Sequence, residues 1–345
     1  MSITDNSTKI EISLNYGRKI HAPPGRSLFA TLRANGILVP TACGGKGACG
    51  LCKVRIHGYS PPIQTAESLA LSAEELANML RLSCQIKPDC DLRVELSSDV
   101  LAARENQASV VNIRNLTHDI KEIRLAIQPP AAIAFRSGQF VVLRIPPYGT
   151  NRFATFRPFS LASSPTRADS IELEIRRVSG GIGTTYIFDR LQTGMPLPFI
   201  GPYGDFWLRE SERNLIFIAG GTGMAPILSI LEDMADQGIS RQATFFFGAR
   251  AKADLFHLDR MQNLQERLPG FRFIPALSSP APDDDWSGER GLITEAVERH
   301  VQSAANADAY LCGSPLMINA CLGLLAGKGL PKDRIFYDKF TSCRL

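Results

Sequence analysis

The stretch "TACGGKGACGLC" at positions 41–52 limits what this chain can fold into more than any other feature. Cys43, Cys49 and Cys52 are spaced C-x5-C-x2-C, and Cys84 follows after thirty-one residues in "RLSCQ". Four thiolates bind zinc or an iron–sulfur cluster. Structural zinc sites usually bring two close pairs together. Three thiols on one winding loop with a distant fourth suit a [2Fe–2S] rhomb better, because each iron takes two thiolates. Gly44, Gly45, Gly47 and Gly50 let the backbone wrap such a group in conformations that a side chain forbids.

Eight cysteines would form a disulfide framework only in an oxidising compartment. The opening "MSITDNSTKIEISLNYG" has no basic region followed by an apolar run, so no secretion signal is read and a cytoplasmic protein is expected. Cys90, Cys321 and Cys343 are assigned no role. A net charge of +4 is too small to argue for nucleic acid or an anionic membrane as partner. Two uncharged stretches, 214–231 and 309–327, approach the length of a membrane span. Each is broken by Gly and Pro about one strand-length in, which predicts strand, turn and helix and no membrane insertion.

Three patterns follow one another. Residues 1–102 alternate strand-like runs ("KIEISLNYGRKIHA", "CKVRIHG", "DLRVEL") with a helical stretch, "TAESLALSAEELANML", in which Ser72 and Glu75 form a capping box. This is a small α+β unit, and "LAARENQ" after it reads as a linker. Residues 103–208 are short strands separated by turns with one helical piece, "GTTYIFDRL", predicting an antiparallel barrel. Residues 209–345 alternate strand and helix, predicting a doubly wound α/β domain with a parallel sheet.

The cysteine loop resembles that of plant-type ferredoxin domains fused to flavoprotein reductases, with one extra residue in the first gap. In that detail it is similar to the ferredoxin domain of the sodium-pumping quinone reductase. "RPFS" (157–160) resembles the flavin-binding motif of the ferredoxin–NADP reductase superfamily. The resemblance implies that Arg157 pairs with a flavin phosphate, that Phe159 lies against the isoalloxazine, and that Ser160, after Pro158, bonds near its N5 atom. In "GGIGTTY", Gly183, Thr184 and Thr185 open a helix whose free N–H groups can take a pyrophosphate, hence FAD. "GGTGMAP" resembles the superfamily's dinucleotide loop, giving Gly221, Thr222 and Gly223 as contacts; "CGSP" resembles its Cys-Gly-x-Pro turn, with Cys312, Gly313 and Ser314 beside the nicotinamide. Phe340, in the last strand-like run, is the candidate flavin shield. Arg250 and Lys252 could bind a 2′-phosphate, but the sequence around them looks like that of NADH-using enzymes. NADH is expected, with NADPH as the alternative.

Together these motifs resemble the NADH-dependent reductase components of bacterial oxygenases. The resemblance implies a relay from NADH to FAD to a [2Fe–2S] cluster and on to an oxygenase, with Ser160, Cys312 and Phe340 at the reacting flavin. The same relay could serve a deoxysugar dehydratase or a quinone. Lys46, Lys53 and Arg55 around the cluster read as an ordinary solvated face, or else as a weakly basic docking surface. The five histidines (21, 57, 118, 257, 300) are scattered and are assigned no role.

Overall fold

A computed structural model of the chain describes residues 10–58, 61–281 and 284–340. Five strands of the first unit form a mixed sheet in the order Lys19–Ala22, Ile10–Leu14, Leu92–Glu95, Lys53–His57, Leu80–Leu82. Helix Leu28–Ala34, capped by Ser27, buries Leu28, Phe29 and Leu32 in one core with Ile12, Val54, Ile56 and Val94. The expected capping box is present: Glu75 N–H donates to Ser72 Oγ, and Ser72 N–H to Glu75 Oε2. The stretch around it is two short helices, Thr65–Ala70 and Ala73–Ala77, not one. Leu71 between them is extended, because Ser72 ends one helix to start the next.

The middle unit is two antiparallel sheets packed on a shared core. One has the order Thr155–Ser160, Phe140–Ile145, Phe199–Tyr203, Arg104–Asn106; the other Ser170–Arg176, Ile120–Ile127, Ala108–Asn115. Bridges Leu161–Leu173 and Ser109–Pro196 join them, so the expected barrel is present as a split, barrel-like pair. The segment read as a linker is structured. Helix Ser98–Ala102 packs on Phe199–Tyr203, and Arg104–Asn106 is itself a strand of the four-stranded sheet.

The third unit has six parallel strands in the order Glu289–Arg290, Phe271–Leu277, Ala243–Ala249, Asn214–Gly220, Ala307–Gly313, Ile335–Lys339. Runs such as "ATFFFGA" are apolar throughout because helices cover both faces. Strand order reverses between Asn214–Gly220 and Ala307–Gly313, which is where open sheets of this kind take ligands. Both uncharged stretches resolve into strand plus helix: Met224–Gln237 follows the first strand and Pro315–Gly327 the second. Among the described residues no helix is long and apolar enough to cross a membrane.

Candidate electron-transfer site

Residues 41–50 have no regular structure, and Gly44, Gly45, Gly47 and Gly50 all have φ between 67° and 91°. An alanine Cβ at Gly47 would lie 2.7 Å from Gln85 Nε2, so the loop is closely packed as well as left-handed. Backbone N–H groups of Gly45, Ala48 and Cys49 turn toward the Cys43 sulfur, and those of Ala42 and Leu51 toward Cys49. The four thiols stand as two hydrogen-bonded pairs. Donation from Cys49 holds Cys43 down to about 4 and pushes Cys49 up; donation from Cys52 holds Cys84 down to about 7 and pushes Cys52 up.

No group of three or more His, Cys, Asp or Glu side chains among the described residues is gathered as a single metal ion needs. Two thiolates to each of two irons is instead the division that a [2Fe–2S] rhomb requires, so the donor set fits that group. Cys90 is exposed, and Cys321 is buried, its thiol pushed up to about 12 by burial. Cys343 lies outside the described residues.

Strand Thr155–Ser160 carries Arg157 and Phe159 on one face and Pro158 and Ser160 on the other. Ser160 is buried and Phe159 packs half-buried against the flavin-sheet core. Arg157 Nη1 donates to the carbonyls of Phe156 and Ala42, each at 2.8 Å, so the flavin strand bonds directly to the residue before Cys43. Gly183 is a glycine for contact: a Cβ there would lie 2.9 Å from Arg157 Cγ. Helix Ile182–Asp189 therefore begins against the arginine stem, and the N–H groups of its first turn lack intrahelical acceptors. The Thr184 hydroxyl is engaged with the Val178 and Gly181 carbonyls, leaving half-buried Thr185 and the backbone as the polar groups that face outward.

At the sheet reversal the two dinucleotide motifs touch. A Cβ on Gly223 would fall 2.2 Å from the Cys312 carbonyl oxygen, and one on Gly221 (φ 57°) would fall 2.6 Å from Arg176 Nη1. Arg176, paired with Asp119 at 3.1 Å, comes from the flavin domain and was not among the expected residues. Thr222 is half-buried in the short 3-10 turn between the two glycines. Cys312 is wholly buried, its thiol raised well above the ordinary range by burial and by Asp338, its partner on the next strand. The Ser314 hydroxyl caps helix Pro315–Gly327, accepting from Met317 N–H, and Phe340 N–H donates to the Gly313 carbonyl. Phe340 is half-buried against the core shared by the flavin and dinucleotide domains. Asp338 is a further residue the sequence did not signal: burial, with Asp205 adding repulsion and Lys53 opposing, pushes it up to about 6.

The flavin motif also reaches the dinucleotide helix. The loop after Ser160 presents the Ser163 carbonyl to Ser229 Oγ at 2.7 Å and the Thr166 hydroxyl to Asp236 at 2.7 Å; Ser137 donates to Asp233 at 2.8 Å. These three acceptors and donors lie along one side of helix Met224–Gln237, which starts at the glycine turn. A cavity of about 460 Å³ lined by Phe273, Arg290 and His300 lies at the sheet's outer edge, two strands from that turn. Of the basic residues near the cluster, Lys53 pairs with Glu75 and Arg55 bonds the Asn78 carbonyl, leaving exposed Lys46 without an ion pair among the described residues.

Comparison with known proteins agrees with this geometry. Models of a 2Fe-2S iron-sulfur cluster binding domain, an oxidoreductase FAD-binding domain and an oxidoreductase NAD-binding domain match residues 12–89, 107–207 and 217–322. The chain is 35% identical to the phenol hydroxylase P5 protein of Acinetobacter pittii, covering 94% of this chain and 92% of that one. It is 33% identical to the reductase subunit of an aromatic O-demethylase from Amycolatopsis (94% and 97% covered). It is 30% identical to one component of the Na(+)-translocating NADH-quinone reductase of Neisseria gonorrhoeae (96% and 91% covered). The crystal structure of the Amycolatopsis cytochrome P450 reductase GcoB superposes with a TM-score of 0.78 at 31% identity, covering 96% of this chain and 99% of that one. The ferredoxin reductase of a carbazole 1,9a-dioxygenase shares the fold, with a TM-score of 0.70 at 24% identity over 96% of this chain and 98% of that one.

Proposed function

This chain belongs to the family of NADH-dependent ferredoxin–flavoprotein reductases that serve bacterial multicomponent oxygenases, and on that premise we propose which of its residues hold the relay and where electrons leave it. NADH supplies a hydride, FAD splits the pair, and the [2Fe–2S] cluster passes single electrons to an oxygenase partner. Cys43 and Cys49 hold one iron, and Cys52 and Cys84 the other. Arg157 and the first turn of helix Ile182–Asp189 take the flavin's phosphates, with Pro158, Phe159 and Ser160 along its ring. Gly221, Thr222 and Gly223 receive the dinucleotide; Cys312, Gly313 and Ser314 form the wall at its nicotinamide end, and Phe340 covers the flavin. Since Cys312 is fully buried, it acts by shape and not as a proton donor.

The observation that carries the reading is the Arg157 bond to the Ala42 carbonyl, which joins the flavin strand to the cluster loop within one chain. It also gives the loop two ends. Residues 38–42 face the flavin domain, where Tyr203 Oη donates to the Leu38 carbonyl. Gly44, Lys46 and Ala48 face solvent. Leu69, 85% exposed, lies on helix Thr65–Ala70, whose Ala66 and Ala70 pack on Gly47 and Gly50, and Ile63, 52% exposed, precedes that helix. The acceptor docks on this largely apolar rim, with exposed Lys46 beside it. A dehydratase or quinone acceptor would draw on the same relay, and a cytoplasmic setting suits its four reduced thiols.

Anaerobic addition of NADH to purified protein should bleach flavin absorbance first and cluster absorbance second, with two irons and two labile sulfides per chain. Bound zinc in place of iron would overturn the reading. Leu69→Asp should raise the KM for cytochrome c, used as a one-electron protein acceptor, severalfold and leave flavin bleaching by NADH unchanged; an unchanged KM would remove the docking rim.

A further inference from the structure

Between the flavin sheet and the dinucleotide domain lies a set of buried charges that the relay does not use. Strands Ile120–Ile127 and Ser170–Arg176 pair with Glu122 opposite Glu174, and Glu172 stands two residues before Glu174 on the same face. All three carboxylates are buried. From the other domain, the tip of helix Leu258–Arg267 meets them. His257 Nε2 lies 2.9 Å from Glu174 Oε1 and 3.6 Å from Glu122 Oε2. Arg260 Nη1 lies 3.2 Å from Glu172 Oε2 and 3.7 Å from Glu122 Oε2. Arg260 Nη2 also bonds Glu232 at 2.9 Å, on the helix that the glycine turn begins. The contacts therefore run from flavin strand to dinucleotide loop without a break.

Local preference does not explain His257. Its backbone is left-handed (φ 57°, ψ 26°), uncommon for a residue with a side chain, yet that side chain is 1% exposed. His257 Nε2 and Glu174 Oε1 share one hydrogen bond, in which the ring donates when the carboxylate is ionised. Glu174 Oε2 is buried with no partner, which makes His257 its principal anchor. Burial raises the Glu174 pKa and the His257 hydrogen bond opposes that rise. An apolar seam of equal volume would be at least as stable, because taking charges out of water costs several kcal/mol per ion. What directional bonds add is a fixed relative orientation.

Orientation is what hydride transfer needs, since donor and acceptor atoms react at about 3–3.5 Å and a 1 Å misplacement costs about a hundredfold. Here the two reacting rings are held by different domains. We propose that His257 is a positioning residue for the hydride step: by bonding Glu174 across the seam it sets the roll of the dinucleotide domain against the flavin sheet. The proposal rests on the relay described above, and bleaching of the unmodified protein by NADH, measured first, separates the two.

The test compares the holoprotein with His257→Ala, His257→Gln and Glu174→Gln under anaerobic rapid mixing. His257→Ala should slow flavin reduction by NADH about tenfold or more, weaken the long-wavelength charge-transfer absorbance between nicotinamide and flavin, and speed hydrogen exchange in Ser170–Arg176. Flavin content, iron content and the flavin-to-cluster rate should hold. His257→Gln, which keeps an N–H donor, should recover part of the rate. Wild-type hydride transfer and charge-transfer absorbance in His257→Ala, with only a lower melting temperature, would overturn the proposal. Should His257→Ala fail to retain flavin, Glu174→Gln decides: slowed hydride transfer at full flavin content supports it, and an unchanged rate overturns it.

Discussion

On one side of the flavin sheet, Ile120, Ala162 and Phe206 join the dinucleotide core, and directional bonds are added to it: Ser229 to the Ser163 carbonyl, Ser137 to Asp233, Arg260 to Glu172. On the other, Val142, Ile200 and Tyr203 simply join the ferredoxin core. That second seam adds bonds to the Leu38 and Ala42 carbonyls, one from Gly204 N–H to Asp99, and the Arg33 guanidinium 5.0 Å over the Phe156 ring. The difference follows what crosses each seam. A hydride moves only between atoms in near contact, so its seam must fix angles. An electron crosses a gap that a hydride cannot, so its seam needs to hold a distance, and apolar packing does that.

Three substitutions probe the contrast, the most severe first. Gly138 has φ 93°, and a Cβ there would fall 1.9 Å from the Phe206 carbonyl oxygen. Gly138→Ala should cost about 3 kcal/mol or more, read as a lower urea midpoint, with the NADH-to-flavin rate constant falling further than the flavin-to-cluster rate constant. Equal loss at both steps would break the contrast.

Asp338, opposite Cys312 on the neighbouring strand, is pushed up to about 6 by burial, with Asp205 adding to the rise and Lys53 opposing it. A carboxyl that keeps its proton in the folded state above its unfolded pKa binds more protons folded than unfolded. Its contribution to stability therefore falls as pH rises from about 4 to about 6. Asp338→Asn should abolish that fall and stabilise the protein at pH 7.5 by on the order of 1–2 kcal/mol. Urea unfolding at pH 4.5 and 7.5 checks it.

Tyr203→Phe leaves the Leu38 carbonyl without its side-chain donor and should cost about 1 kcal/mol. It should slow cluster reduction slightly and leave the hydride step alone. A slowed hydride step would show that the two seams are not independent.

Much of this could be read in the chain because the signals are local. Four glycines in the cysteine loop announced four left-handed residues, Ser72 and Glu75 a capping box, and alternating strand and helix a parallel sheet. What stayed hidden is long-range. Glu122 and Glu174 look like the outward charges of half-exposed strands, and nothing near His257 marks it as buried. In "DLFHLDRM" the helix begins only at Leu258, because His257 turns left-handed to reach Glu174. Lys53 and Arg55 read as an ordinary solvated face, or else as docking charges, until Glu75 and the Asn78 carbonyl claim them. Residues 101–107, polar enough for a linker, hold the end of helix Ser98–Ala102 and then strand Arg104–Asn106, because Phe199–Gly201 supplies a free edge.

The two-ended cluster loop has a last consequence, for change over evolutionary time. With 38–42 sheltered by the barrel and Gly44, Lys46 and Ala48 bare, the proposed docking rim would let a new client protein be accommodated by recutting a handful of side chains. The fuel-handling half need not be touched, so one reducing engine can be refitted to successive hosts.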